Sequence, residues 1–267
     1  MRDLELDSSM SARELIEMMG EMGGFMGAHL AYAYKTIMEM LRDKECFRIL
    51  SFTGNIVSTG LRGIIADMAR RKLFHLLITT CGALDHDLAR SRAEYIVGSF
   101  DSDDYMLAEK DIHRLGNIWI ESPSYGGVIE SEMRELVREI SGPISTYELC
   151  WKLGERISME NSFLTWCWRN KIPVVVPGIV DGAVGYQMWL NKVHLDLMKD
   201  ETLLNDLMWG HRRKGGIILG GGISKHHLLW WSQFGGEGLD YAVYISTADE
   251  YDGSLSGARP REAITWH

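Results

Sequence analysis

Cysteine is scarce in this sequence and never closely paired. Cys46, Cys81, Cys150 and Cys167 stand far apart, so there is no C-x-x-C element from which to build a zinc knuckle. Thiols scattered in this way read as reduced side chains of a cytoplasmic protein. Basic runs are scarce too. The longest is "HRRK" at 211–214, and the formal net charge is -9. That balance argues against a nucleic-acid surface and favours cationic partners, such as polyamines or a basic protein loop. No apolar run is long enough to span a bilayer. The opening "MRDLELDSSMSARELIEMM" carries acids where a signal peptide needs a cationic start and an apolar stretch. Internal repeats, low-complexity tracts and convincing linkers are also lacking, so one domain over residues 1–267 is expected. What is present is globular: 46% hydrophobic and 24% charged residues in a chain of 267, ample for a buried core.

The pattern changes along the chain. Ser11 to Glu14 reads S-x-x-E, a capping box. It opens a helical segment over about 11–43, which Gly20, Gly23, Gly24 and Gly27 should interrupt. Then come short runs rich in Ile, Val and Leu: "FRILSF" (47–52), "HLLITT" (75–80), "IPVVVPG" (172–178), "GGIILGG" (215–221) and "YAVYIS" (241–246). Such runs predict strands buried on both faces of a parallel sheet. Helical stretches lie between them, at 56–72, about 84–95, 128–141, 145–157 and 184–208, with a second capping box at Ser145 to Glu148. Alternation of this kind predicts a Rossmann-like, doubly wound α/β fold: a mostly parallel sheet with helices on both faces. Ligands of such folds bind at the carboxyl edge of the sheet, and the polar detail of this sequence follows the predicted strands.

Each polar segment has a structural and a functional reading. "TGNIVSTG" (53–60) is a strand-to-helix turn whose backbone N–H groups suit phosphate, or simply a tight turn. "GGGISKHH" (220–227) lets backbone approach a ligand closely, or serves as a turn before a solvated helix start. Adjacent histidines point to different sides of a helix, so no metal site is expected there. Asp85, His86 and Asp87 complement a helix dipole, or bind an amine. Asp181 caps a helix, or offers a carboxylate to hydroxyl and ammonium groups. Trp266 near Glu262 pairs an indole face with a carboxylate, a combination that suits a cation.

Taken in order, "TGNIVSTGLR", "ITTCGALDHDL", "RLGNI" (114–118), "IPVVVPGIVDGAVG", "IILGGGISKHH" and "DYAVYISTADEYDGSLSGARPREAITW" resemble the deoxyhypusine synthase family, from about Ile49 to Trp266. The last two blocks are highly specific. The Asp85-His86-Asp87 and Gly-Ser-Leu-Ser-Gly variants resemble the archaeal branch. The resemblance implies the same Rossmann-like fold, a homotetramer with sites between subunits, and an NAD-dependent aminobutyl transfer. In that chemistry NAD takes a hydride from spermidine to give an imine. A lysine of the enzyme captures the aminobutyl part and releases 1,3-diaminopropane. The group then passes to a lysine of the translation initiation factor 5A precursor, where NADH reduces the new imine.

By position, the resemblance implies NAD contacts at Gly54, Asn55, Ser58, Thr80, Cys81, Gly82, Asp181, Gly221, Thr247 and Ala248. It implies polyamine contacts at Asp85, His86, Tyr186, His226, Gly253, Ser254, Leu255, Glu262 and Trp266, with His226 assisting proton transfer. His86, Tyr186 and Leu255 stand where the eukaryotic pattern has acids. The family's "EA-x-[ST]-W" run continues into Gly-Lys, the lysine being the nucleophile. Here His267 stands at the glycine and the sequence stops, so a chain cut short is expected. Two alternatives are a homospermidine-forming relative acting on small amines and a catalytically inactive NAD-binding paralogue.

Overall fold

The computed structural model describes residues 2–266, so His267 lies outside the described residues. The N-terminal segment is two helices, α1 (Ala12–Met22) and α2 (Phe25–Arg42). At the start of α1, Ser11 and Glu14 form the reciprocal capping box. The break falls at Gly23 and Gly24, whose φ values of 65° and 106° suit glycine alone.

The chain continues through β1 (Phe47–Phe52), a 3₁₀ turn (Gly54–Ser58), α3 (Leu61–Arg70), β2 (Leu76–Ile78) and α4 (Cys81–Ala89). Next come β3 (Ile96–Val97), α5 (Asp104–Glu109), β4 (Ile112–Leu115), β5 (Ile118–Glu121), a π-helical turn (Pro123–Gly127) and α6 (Val128–Leu136). They are followed by a 3₁₀ turn (Val137–Glu139), α7 (Thr146–Ile157), α8 (Phe163–Asn170), β6 (Val174–Val175), α9 (Ala183–Leu190) and α10 (Leu197–Gly210). The last elements are β7 (Lys214–Leu219), α11 (Ile223–Ser232), β8 (Tyr241–Ile245) and a 3₁₀ segment (Pro260–Trp266).

The five apolar runs form one parallel sheet in the order β6-β2-β1-β7-β8. Its register pairs Ser51 with Ile78 on one side and with Ile218 on the other. Alternate residues feed two cores. Leu50, Phe52, Leu77, Val174 and Ile217 face the layer of α3, α4, α7 and α8. Phe47, Ile49, Leu76, Ile78, Val175 and Ile218 face α10 and α11. Both faces are covered along the inner strands, so these carry no polar period of their own; β8, expected to be buried on both faces, lies at the sheet edge and buries only Val243. The chain moves outward from β1 through β2 to β6 and then returns to β1's other side with β7. The switch point, and the crevice it opens, therefore lies between the carboxyl ends of β1 and β7.

Three differences from the sequence reading stand out. The helix expected over 184–208 is two helices, because Ile144 bridges Leu195 between them. The helix expected over about 84–95 begins at Cys81 and ends at Ala89. Residues 96–121 hold a separate antiparallel sheet in the order β3-β5-β4. Its β4–β5 hairpin turns at Gly116, with φ 62°.

Candidate functional site

The expected residues gather in two groups along the carboxyl edge of the parallel sheet. In the first, the loop after β1 lies directly on the first turn of α4. A Cβ added to Gly54 would come within 2.8 Å of the Ala83 backbone nitrogen. The Gly54 N–H donates to Thr80 Oγ1 at 3.1 Å. Ser58 is buried and donates to the Asn55 carbonyl at 2.7 Å, while Asn55 itself is exposed. A Cβ added to Gly82 would lie 3.9 Å from Gly54 Cα. Gly54, Thr80, Cys81 and Gly82 are thus brought into one contact. Cys81 is buried, and burial followed by the nearby Asp85 carboxylate pushes its thiol well above the ordinary range. At neutral pH it is an inert thiol, not a nucleophile.

Asp85 and His86 point inward. Asp85 accepts the backbone N–H groups of Ala183 and Val184 at 2.9 and 2.8 Å, and the Tyr125 hydroxyl at 2.9 Å. Burial raises its pKa despite these donors. Its oxygens are therefore committed to α9 and Tyr125, where an amine had been expected. His86 Nδ1 lies 3.0 Å from the Tyr95 hydroxyl, and the ring packs against Tyr95 and Tyr125. Burial, then the Arg90 charge, lowers its pKa to about 4, so it is a neutral imidazole at physiological pH. The third residue of the run, Asp87, is an internal partner of Arg62 at 2.5 Å. Asp181 is exposed and caps no helix; the N-cap of α9 is Gly182. Tyr186 is exposed on α9 beside Trp189, with ring centroids 5.6 Å apart.

The second group lies at the ends of β7 and β8. Gly220 has φ 81°, and a Cβ there would sit 2.7 Å from a Thr53 side-chain carbon. A Cβ on Gly221 would lie 2.4 Å from Ser256 Cα. The three-glycine turn is therefore compressed between the loop after β1 and the loop after β8. Lys225 is buried at the start of α11. Its Nζ donates to the carbonyls of Leu255, at 2.8 Å, and Ala258, and lies 4.3 Å from the Tyr244 ring centre. The Tyr244 hydroxyl donates to the Ser256 carbonyl. These contacts hold the exposed Gly253, Ser254 and Leu255 against the sheet edge. His226 lies between Trp230 and Trp266, with ring centroids 6.3 and 5.9 Å away. Glu262 accepts the Arg259 N–H at 3.1 Å. Thr247 and Ala248 are exposed, and the Ala248 N–H donates to Ser246 Oγ at 3.0 Å.

A cofactor with an anionic centre suits this edge. Helices α4 and α11 begin here with no side-chain hydrogen bond at the cap, leaving N–H groups and partial positive charge. Nothing lies within 4 Å of a Cβ built on Gly222, so the start of α11 is open. Among the described residues no group of three or more His, Cys, Asp and Glu side chains could hold a metal ion, and no helix is long and apolar enough to cross a membrane. A cleft of about 510 Å³ between α11, β8 and the last 3₁₀ segment is lined by Leu229, Leu239, Ala242, Arg261 and Ile264 and contains none of the expected residues. Sequence reasoning missed Tyr125, Tyr95 and the anchoring role of Lys225. No local signal marks them, because their partners lie 9 to 40 residues away.

Comparisons with known proteins bear on the family and the fold. A family model for deoxyhypusine synthase matches residues 14–267. A protein of Ignicoccus hospitalis named as a probable deoxyhypusine synthase is 46% identical over 275 residues, covering 99% of this chain and 86% of its own. One of Pyrobaculum calidifontis with the same name is 48% identical over 267 residues, covering 95% and 90%. A crystal structure from Entamoeba histolytica assigned to the same enzyme has a TM-score of 0.68 at 22% identity, covering 100% of this chain and 94% of its own. That likeness bears on the fold.

Proposed function

The chain belongs to the deoxyhypusine synthase family, and from that premise we propose that it moves the 4-aminobutyl group of spermidine to a lysine of the translation initiation factor 5A precursor, with NAD as cofactor. We place the reaction in the cytoplasm, in a homotetramer with sites between subunits, and take residues 1–267 as one domain. The observation that carries the reading is the junction of α11 with the loop after β8, where His226 faces Trp266 at 5.9 Å and Gly221 touches Ser256.

When bound, NAD would supply the hydride acceptor and, later, the hydride donor. The uncapped starts of α4 and α11, the latter open at Gly222, suit its pyrophosphate. Gly54, Thr80, Cys81, Gly82 and Gly221 would form the close wall of that site, and Asn55, Ser58, Asp181, Thr247 and Ala248 its periphery. His226 is placed to hold or release a proton at the reacting amine. Trp266 and Glu262 supply an aromatic face and a carboxylate for an ammonium group. Tyr186, Gly253, Ser254 and Leu255 would shape the rest of the amine channel. His86 serves as a neutral wall, and Asp85 acts from behind it. Lys225 is tied to two carbonyls and is not offered as the nucleophile.

The test uses the protein expressed from its whole reading frame, with NAD, spermidine labelled in its butyl part, the factor precursor and added putrescine. Label on the precursor, lost when NAD is omitted, is the expected result. Labelled homospermidine with an unlabelled precursor would transfer the assignment to small-amine chemistry. No labelled product of either kind would leave an NAD-binding protein without this activity.

A further inference from the structure

Helix α9 begins without a cap of its own. Its N-cap is Gly182, and a Cβ there would lie 2.6 Å from Cys81 Sγ and 2.7 Å from Asp85 Oδ2. No side chain fits, so the first N–H groups of the helix need an acceptor from elsewhere. Asp85 is that acceptor, one oxygen to Ala183 and the other to Val184. Its remaining capacity goes to the Tyr125 hydroxyl at 2.9 Å and, weakly, to the Cys81 thiol at 3.7 Å. Tyr125 occupies the middle of the π-helical turn Pro123–Gly127, in which the Val128 N–H reaches back to the Pro123 carbonyl. Such turns occur where a side chain has to be aimed off the regular helical path.

We infer that Tyr125 is a positioning residue that acts through Asp85 to fix the start of α9, and with it the loop carrying Asp181 and the helix face carrying Tyr186. The carboxylate is saturated by four donors on three elements. An amine could reach it only by displacing the cap of α9. The titratable groups that face Asp85 are Cys81, Tyr125 and Tyr95, none of them cationic. Ionised Asp85 therefore depends on hydrogen bonds, and among the described residues the Tyr125 hydroxyl is the only one of them that a side chain outside α4 supplies.

Hydrogen exchange on the whole protein tests this, with Tyr125→Phe and Asp85→Asn as variants and Tyr105→Phe, at a ring 87% exposed, as control. Tyr125→Phe should speed exchange at the Ala183 and Val184 amides about tenfold. Asp85→Asn should speed it further, and the control should match the parent. The kinetic arm rests on the amine-transfer reading: Tyr125→Phe should raise the amine KM about fivefold and keep kcat within about twofold. Unchanged exchange at 183 and 184 overturns the inference. A fall in kcat at constant amine KM also overturns it, because that is the signature of a smaller folded fraction. If no variant, nor the parent, transfers an aminobutyl group, the functional reading fails and the exchange arm alone decides.

Discussion

His86 is an imidazole kept neutral by its surroundings, and that has a measurable sign. Burial and Arg90 hold its native pKa at about 4, below the ordinary 6.5. Between those values the unfolded chain takes up a proton that the native chain refuses. Its contribution to stability is therefore complete above pH 6.5 and is lost as the pH falls toward 4, by at most about 3 kcal/mol. Buried Asp85 and Asp87 work in the opposite sense, since their raised pKa values favour proton uptake by the native state. The comparison must therefore be a difference. Denaturant melts of the parent and of His86→Phe between pH 7 and 4.5 should diverge, with the variant losing less stability on acidification. Parallel curves would mean that His86 titrates in the native protein as it does in the unfolded chain.

At the scale of elements, Lys225 shows what a motif can and cannot disclose. Its position after three glycines was legible as the start of a helix at a strand end. Its task was not, because its two carbonyl acceptors are 30 and 33 residues further on. Burial lowers its pKa, opposed by Glu262, and its Nζ holds the loop through the two carbonyls. Lys225→Met keeps the apolar stem and removes the donor, leaving the Leu255 and Ala258 carbonyls unpaired. It should destabilise the protein by about 1–3 kcal/mol and open the 249–258 loop to limited proteolysis before the rest of the chain melts. A cleavage pattern identical to the parent's would show that the loop is held by other means. The same contrast runs through the fold. The central parallel strands were legible because burial on both faces leaves mostly apolar runs such as "FRILSF", while β8 at the sheet edge buries Val243 alone. The antiparallel strands were not, because β3 is two exposed residues and β4 mixes His113 and Arg114 with apolar neighbours. Helix α8 was missed because eight residues, two of them Trp, carry too little period to be seen. The site loops could be placed at the carboxyl edge, but Asp85 could not be recognised as the cap of a helix 98 residues away.

At the scale of the whole molecule, one buried ion pair joins the helical layer that supports the carboxyl edge. Arg62 on α3 meets Asp87 on α4 at 2.5 Å, with side chains 6% and 0% exposed. The other Asp87 oxygen accepts the Ser162 hydroxyl at 2.7 Å and the Leu164 N–H at 3.1 Å, and so secures the start of α8. Three helices on one face of the sheet are thus fixed to a single carboxylate. A charge so placed is tolerable only while its partners remain. Arg62→Met keeps most of the side-chain volume and removes the countercharge. It should cost about 3–5 kcal/mol, which for a chain of this length is a fall in Tm of about 10 °C. The cost should depend on pH. With Arg62 gone, the native Asp87 carboxyl moves further above its unfolded value, because the guanidinium was the strongest influence opposing burial. The variant can then relieve the buried charge by binding a proton as the pH falls, an escape the parent needs less. Calorimetric melts at pH 7.5 and pH 5 should show the deficit shrinking on acidification. A deficit of the same size at both values would assign the loss to packing around the arginine stem, and the charge of Asp87 would not be what holds α3, α4 and α8 together.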